Sequence, residues 1–321
     1  MHTKKMKQPV IGIPRALLYY SYNDQWKRFF EGIDCRVMAS PETSARILRS
    51  GIMHALSDLC LPLKTFLGHV AVLKDSVDAL FIPRYVSVEQ ESYMCPKMIG
   101  LPDVVRASFS NLPPIIAPVM HYKQFREGSY EEFVRPIAKM FSVRQEKAAE
   151  VLRAAERDSR ELPNLYHEQS ESLLSGSRGI CSAAGMNIGI IGRPYLLFDN
   201  HLSKNMFRFL KDMGATPIYL RPSASDIREA MTVIPKWIYW DMGKEVVTAA
   251  HCCFRDDRIH GVINLCSAAC GPDSFTGDLI KKRLNPGNKP YMSLSIDEHT
   301  SDVGLHTRIE AFIDMIGKVT V

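Results

Sequence analysis

The chain has 321 residues, 46% of them apolar and 23% charged, which is enough to bury substantial cores and favours two domains over one. Its 40 basic and 35 acidic residues give a net charge of +5 scattered along the chain, which excludes the basic stripe of a nucleic-acid binder. No apolar run approaches a membrane span, and the charged Met1-His-Thr-Lys-Lys-Met-Lys7 leads into no signal-peptide core, so a soluble, cytoplasmic protein is expected. Eight cysteines in such a chain are no disulfide framework, which leaves some of them for ligation or catalysis.

Gln8–Pro14 reads as a first strand, followed by a helix over about Tyr20–Phe30 with Trp26, Phe29 and Phe30 on one side. Cys35–Met38 is a second strand. Pro41-Glu-Thr-Ser44 opens a helix to about Arg49 with Ser40 as its cap, and Asp58-Leu-Cys-Leu-Pro62 opens another that reaches about Lys74. Val77–Ile82 is a third strand ending at Pro83-Arg84. The segment Arg84–Pro96, carrying Glu89, Glu91, Tyr93 and Cys95, reads as a loop at the same end of the sheet, and Pro114–Val119 as a fourth strand.

From Glu127 to about Ser172 the pattern is charged and helical, with Val143, Ala148, Val151, Leu152 and Ala155 as a broken apolar stripe. Ser175–Gly185 is rich in small residues and marks a boundary. A second α/β run follows: strand Asn187–Ile191, helix about Leu202–Met213, strand Thr216–Leu220, and helices about Ser225–Met231 and Asp241–Arg255. Strand Val262–Leu265 comes next, then a helix opened by Pro272-Asp-Ser274, strand Tyr291–Ile296, and a last helix from about Gly304 to Lys318. Both halves begin alike, since Ile11-Gly-Ile-Pro-Arg15 and Ile191-Gly-Arg-Pro-Tyr195 place Gly, Pro and Arg at the end of a first strand. The expected fold is α/β: two Rossmann-like or flavodoxin-like parallel-sheet domains, residues 1–126 and 186–321, joined by a helical connector, 127–185, with a cleft between them.

Cys266 and Cys270 fall between a strand and a helix, outside the carboxyl end of the strand, where open α/β sheets bind ligands. Cys270 precedes a helix start, a position that favours a thiolate. Three cysteines share a signature, Cys60-Leu-Pro62, Cys95-Pro96 and Cys270-Gly-Pro272. Proline suits the first helical turn and leaves each cysteine just outside it, and a Cys-Pro pair also closes bacterial ferredoxin ligand runs. Cys35 reads as a strand core residue, Cys252 and Cys253 as buried on an amphipathic helix, and Cys181 has no such neighbour. Spacing alone leaves both a shared cluster and separately buried thiols open. Zinc is a rival with one short pair, Cys266-x₃-Cys270, and a nucleophilic cysteine with His69 or His299 as base has no local motif. No phosphate-binding Gly-x₄-Gly-Lys-Ser/Thr occurs, and Gly189-Ile-Ile-Gly192 lacks the full dinucleotide fingerprint.

Six blocks in order carry a family resemblance: Ile11-Gly-Ile-Pro-Arg-Ala-Leu17; Cys60-x-Pro-x-Lys64 with Gly68-His69; Glu91-Ser-Tyr-x-Cys95-Pro96; Gly192-Arg-Pro-Tyr195; Cys270-Gly-Pro-Asp-Ser274; and Asp297-Glu-His-Thr300 with Thr307-Arg-Ile-Glu-Ala-Phe312. Over nearly its whole length the chain resembles the acyl-CoA dehydratase activase-related family, similar to the cluster-bearing subunits of 2-hydroxyacyl-CoA dehydratases and to double-cubane cluster proteins. The resemblance implies an interdomain cluster site: a 4Fe-4S cluster in the cleft, held by Cys60, Cys95 and Cys270, with one iron open. Cys266 is the candidate fourth ligand that would close it. A double cubane would also need Cys252 or Cys253 and is disfavoured by their helix position. The implied partner is an ATP-dependent activase or reductase carrying its own cluster, with room for a second copy or a related subunit, and with neither nucleic acid nor membrane. The implied function is an iron–sulfur redox protein that reduces or dehydrates a small or CoA-linked substrate. A non-catalytic electron-transfer or assembly subunit and a zinc-stabilised binding module stay as alternatives.

Overall fold

Short strands are interspersed with helices along the chain, and every strand pairing among the described residues is parallel. The computed structural model describes residues 8–88, 92–121, 130–161, 173–175, 185–234, 236–285 and 287–319. Glu89, Glu91, Cys181 and most of Ser175–Gly185 lie outside the described residues. The chain divides into two units, Met1–Ser57 with Leu63–Leu162, and Asp58–Pro62 with Pro163–Val321.

The first unit runs β1 (Val10–Ile13), α1 (Tyr19–Gly32), β2 (Arg36–Ala39), α2 (Ala45–His54), α3 (Leu61–Leu73), β3 (Ala79–Phe81), β4 (Arg84–Ser87), α4 (Pro96–Ile99), α5 (Leu101–Ser108), β5 (Ile115–Ile116) and β6 (Val119–His121). It closes with α6 (Tyr130–Phe141) and α7 (Gln145–Glu161). Its sheet has the order β2-β1-β3-β5, and β4 pairs with β6 in a separate two-stranded ladder. Trp26, Phe29 and Phe30 on α1 and its C-cap Ile33 recur at helical spacing and are all buried. Phe81 of β3 receives the edges of Trp26 and Phe30, with ring centroids 5.2 and 4.9 Å away, and Trp26 Nε1 donates to the Tyr85 hydroxyl at 3.2 Å.

The second unit runs β7 (Leu173–Ser175), β8 (Met186–Gly192), α8 (Pro194–Leu197), α9 (Met206–Asp212), β9 (Ala215–Arg221), α10 (Ala224–Val233), α11 (Asp241–Arg255), β10 (Gly261–Ser267), α12 (Gly271–Arg283), β11 (Tyr291–Ile296) and α13 (Asp302–Val319). The sheet order is β11-β10-β8-β9-β7. Strands β8 and β10 are buried almost throughout, as expected of parallel strands covered on both faces. Val246, Val247, Ala250 and Cys253 form the inward face of α11 and pack with Ile191, Ile218 and Val262 of the sheet. Each valine or isoleucine among them, fully buried, contributes about 1.5–3 kcal/mol. Setting β7 aside, both sheets place their first strand next to the second on one side and the third on the other, with the fourth beyond it. That is the flavodoxin-like order.

Four local readings change. Ser44, not Ser40, caps α2, its side chain accepting from the Ile47 N–H. Ser40 instead accepts the Arg15 N–H at 2.8 Å. The segment read as a loop from Arg84 contains β4, and α5 follows it. Cys35 lies just before β2, and Cys266 lies within β10 because pairing with β11 continues through Cys266↔Ser295 and Ser267↔Ile296. Among the described residues, no helix is long and apolar enough to cross a membrane.

Helices α2 and α3 touch backbone to backbone. A methyl group on Gly51 would collide with the Lys64 carbonyl, and one on Gly68 with the Ile47 carbonyl. Gly51→Ala and Gly68→Ala are therefore expected to cost about 1–3 kcal/mol each by overpacking. Gly287→Ala, where an added Cβ meets nothing within 4 Å, serves as the control. Urea midpoints check this, and an unshifted midpoint in both helix variants contradicts it.

Candidate functional site

In the second unit the strand order reverses between β8 and β10, so the carboxyl ends of these two neighbours form the crevice where α/β sheets hold ligands. Strand β8 ends at Gly192, whose φ of +152° and whose approach to the Leu265 carbonyl, 2.8 Å from a would-be Cβ, require glycine. The next residue, Arg193, opens α8 and is buried. Its Nη1 donates to the Tyr195 hydroxyl at 3.0 Å, and its Nε stands 2.8 Å from Asp273 Oδ1 in an ion pair. The Nε–H is not aligned on that oxygen, and among the described residues it has no hydrogen-bond acceptor.

Asp273 is buried in the first turn of α12. Its Oδ2 accepts the Ser267 N–H at 2.9 Å, and its own N–H bonds to the Cys270 sulfur. The intervening turn holds Ala268 N on the Ile296 carbonyl at 2.8 Å and Ala269 at φ 56°, left-handed for a non-glycine residue. Cys270 is the N-cap of α12. Cys60, which belongs to the same unit and directly precedes α3, lies within electrostatic reach of Cys270.

The helix start does not make Cys270 a ready thiolate. Burial, with Asp273 adding to it, pushes the thiol up to about 12 against the opposing pull of Arg193 and the Asp273 N–H. Cys266, half a strand turn from the loop, is pushed up to about 11 by burial and by Asp273, with Ser293 Oγ 3.7 Å from its sulfur. Cys95, in the first unit, is the half-buried N-cap of α4. Met94 N there donates to the Val86 carbonyl at 2.9 Å, and Arg84 Nη1 to the Ile99 carbonyl at 2.7 Å. All three cysteines followed by proline thus stand immediately before a helix. Cys253 is packed in the core against Gly189, Cys252 is half-buried, and Cys35 is buried with its sulfur 3.9 Å from the Ile33 carbonyl.

Among the described residues, no group of three or more His, Cys, Asp or Glu side chains is gathered to hold a metal ion. The Arg193–Tyr195–Asp273 unit escaped sequence reasoning. Its only signal was that two separate blocks, Gly192-Arg-Pro-Tyr195 and Cys270-Gly-Pro-Asp-Ser274, recur in the resemblance.

Residues 10–221, more than half of the chain, match the family described as a CoA enzyme activase uncharacterised domain. The chain belongs to that family. Residues 243–316 match the family described as 2-hydroxyglutaryl-CoA dehydratase, D-component. This activase-related chain is therefore also dehydratase-like, and no curated protein matches it. Cys60, Cys95 and Arg193 fall in the first match, and Cys266, Cys270 and Asp273 in the second. The donors of the second unit fit a thiolate-bound group. Cys60 lies within electrostatic reach of Cys270, an N–H already meets the Cys270 sulfur, and among the described residues a buried guanidinium N–H near Cys270 lacks an acceptor.

His69, one of the two histidines considered as a catalytic base, is structural. It is fully buried between Ser40 Oγ, 2.8 Å from Nδ1, and Thr43 Oγ1, 2.9 Å from Nε2. Burial, and then the nearby Arg15 charge, lower it to about 3 from an ordinary 6.5. A depressed base stabilises the fold above its unfolded value and loses that contribution as the pH falls from about 6.5 towards 3. At about 1.4 kcal/mol per tenfold in proton affinity, stability should drop by at least ~2 kcal/mol across that window. The drop should shrink in His69→Gln. Urea unfolding at several pH values checks this, and an equally steep drop in the variant contradicts it.

Proposed function

We propose that this chain carries a 4Fe-4S cluster with Cys60, Cys95 and Cys270 as its thiolate ligands. On this reading it is the component that receives low-potential electrons from a separate ATP-hydrolysing activator and reduces or dehydrates a small or CoA-linked substrate. The observation that carries the reading is Cys270, placed directly before a helix at the sheet's switch point with the buried Arg193–Asp273 pair beside it, and with Cys60, directly before another helix, within electrostatic reach. Sulfur ligands select iron–sulfur clusters or zinc, and a bound cluster supplies one-electron chemistry. The chain's own residues supply the rest. Asp273 N–H donates to one sulfur, Gly192 admits the close approach of the Leu265 carbonyl, and the buried strands β8 and β10 form one side of the site.

A second reading, a non-catalytic electron carrier, is favoured by Cys266, which is buried within electrostatic reach of the same Arg193 and Asp273. As a fourth ligand it would close the cluster to substrate. If it is a displaceable fourth ligand, Cys266→Ser keeps its iron and lets an added small thiol perturb the EPR spectrum of the reduced protein.

Iron and acid-labile sulfide analysis of anaerobically prepared protein tests the assignment. Cys60→Ser, Cys95→Ser and Cys270→Ser should each lose most of the iron, and Cys35→Ser should keep it. Full iron retention in Cys95→Ser contradicts the ligand set, and zinc in place of iron and sulfide contradicts the redox reading.

The division of labour is tested separately. With no phosphate-binding loop, the isolated chain should hydrolyse no ATP. An ATPase activity that survives further purification contradicts the need for a separate activator.

A further inference from the structure

The buried arginine of the second unit has no role in the ligand set, yet three residues are spent on holding it. Asp273 pairs with its Nε at 2.8 Å, Tyr195 accepts from its Nη1 at 3.0 Å, and Gly192 turns the chain so that the side chain enters the protein. Strand β10 runs beside β8 in the register Leu265↔Gly192, which puts the residue after Gly192 beside the Cys266 end of β10. Asp273 then links the arginine to the cysteine, its carboxylate facing the guanidinium and its backbone N–H on the Cys270 sulfur.

We propose that Arg193 is a positioning residue that fixes a positive charge beside Cys270 and thereby raises the reduction potential of the group ligated there. The inference rests on the cluster reading above. One electron enters from the ATP-hydrolysing donor, no bond breaks, and the guanidinium keeps its proton throughout. The added negative charge is stabilised by a fixed cation that is itself buried, beside a half-buried cysteine. Asp273 opposes this. Of the two, Arg193 acts more strongly on Cys270, so the pair leaves a net positive influence at the sulfur.

The two residues therefore make opposite predictions, which a merely structural role does not. In protein reconstituted anaerobically with ferrous iron and sulfide, iron is counted and the midpoint potential is read by EPR-monitored redox titration. Arg193→Met should hold the electron on the order of tenfold less tightly, a fall of about 59 mV for one electron. Arg193→Lys should restore most of that loss, and Asp273→Asn should shift the potential upward. If Arg193→Met loses its iron, whether or not Arg193→Lys keeps it, an upward shift of the potential in Asp273→Asn decides for the proposal and an unshifted value decides against it. Iron-replete Arg193→Met with the wild-type potential overturns the inference alone. Wild-type protein that takes up no iron overturns the cluster reading and this inference with it.

Discussion

A guanidinium and a carboxylate taken out of water cost several kcal/mol each unless they meet one another and further partners, and removing one member of such a pair costs about 3–5 kcal/mol. Arg193 and Asp273 are bound by that constraint, both being more than nine-tenths buried. Asp273 satisfies it through Arg193 and the Ser267 N–H, and Arg193 through Asp273 and Tyr195. These contacts tie the end of β8, the end of β10 and the first turn of α12 into one rigid junction. Ala269 can then occupy a left-handed conformation that costs roughly 1–2 kcal/mol, because the residues around it are pinned to Ile296 and Asp273. The position of Cys270 is thus set by charge burial as much as by the helix that it caps.

The first unit repeats the strand order and the arginine but not the chemistry. Arg15 follows β1 as Arg193 follows β8, yet its side chain is 33% exposed and its partner Glu42 is 68% exposed, at 2.9 Å. An exposed pair of that kind contributes about 0–1 kcal/mol and constrains little. The first unit instead buries a neutral network, in which the Arg15 N–H meets Ser40 and Ser40 meets His69. The shared topology is a scaffold. Burial of one arginine and exposure of the other separate what the two crevices can do.

The readable parts of the sequence were those governed by local rules. Helix α11 and strand β11 fall where composition and periodicity place them, and proline after Cys60, Cys95 and Cys270 marks three helix starts because its fixed φ suits the first turn. Ser40 and Ser44 illustrate the limit. Both are serines ahead of an apolar helix, and the choice between them is made by Arg15 and His69, which are distant in sequence. Cys266 was placed in a loop because the apolar run stops at Leu265, whereas pairing with β11 carries β10 two residues further. Strand β4 has no periodicity of its own and exists because β6 offers it a partner. The Arg193–Asp273 pair is a tertiary contact, invisible to any window of sequence, and only the recurrence of two short blocks hinted at it.

The two family matches do not correspond to two folding modules. Strands β8 and β9 lie in the match to the activase-related domain, β10 and β11 in the match to the dehydratase D-component, and all four belong to one sheet. A segment cut at the join would expose the edge of β10 along its register with β8, from Gly261↔Ile188 to Leu265↔Gly192, and leave the buried Asp273 without its cation. The site is composite in the same way, since Cys60 and Arg193 come from one match and Cys270 and Asp273 from the other. In this chain the dehydratase-like segment is completed only when residues of the activase-related match supply both its central strand and the buried cation that pairs with Asp273.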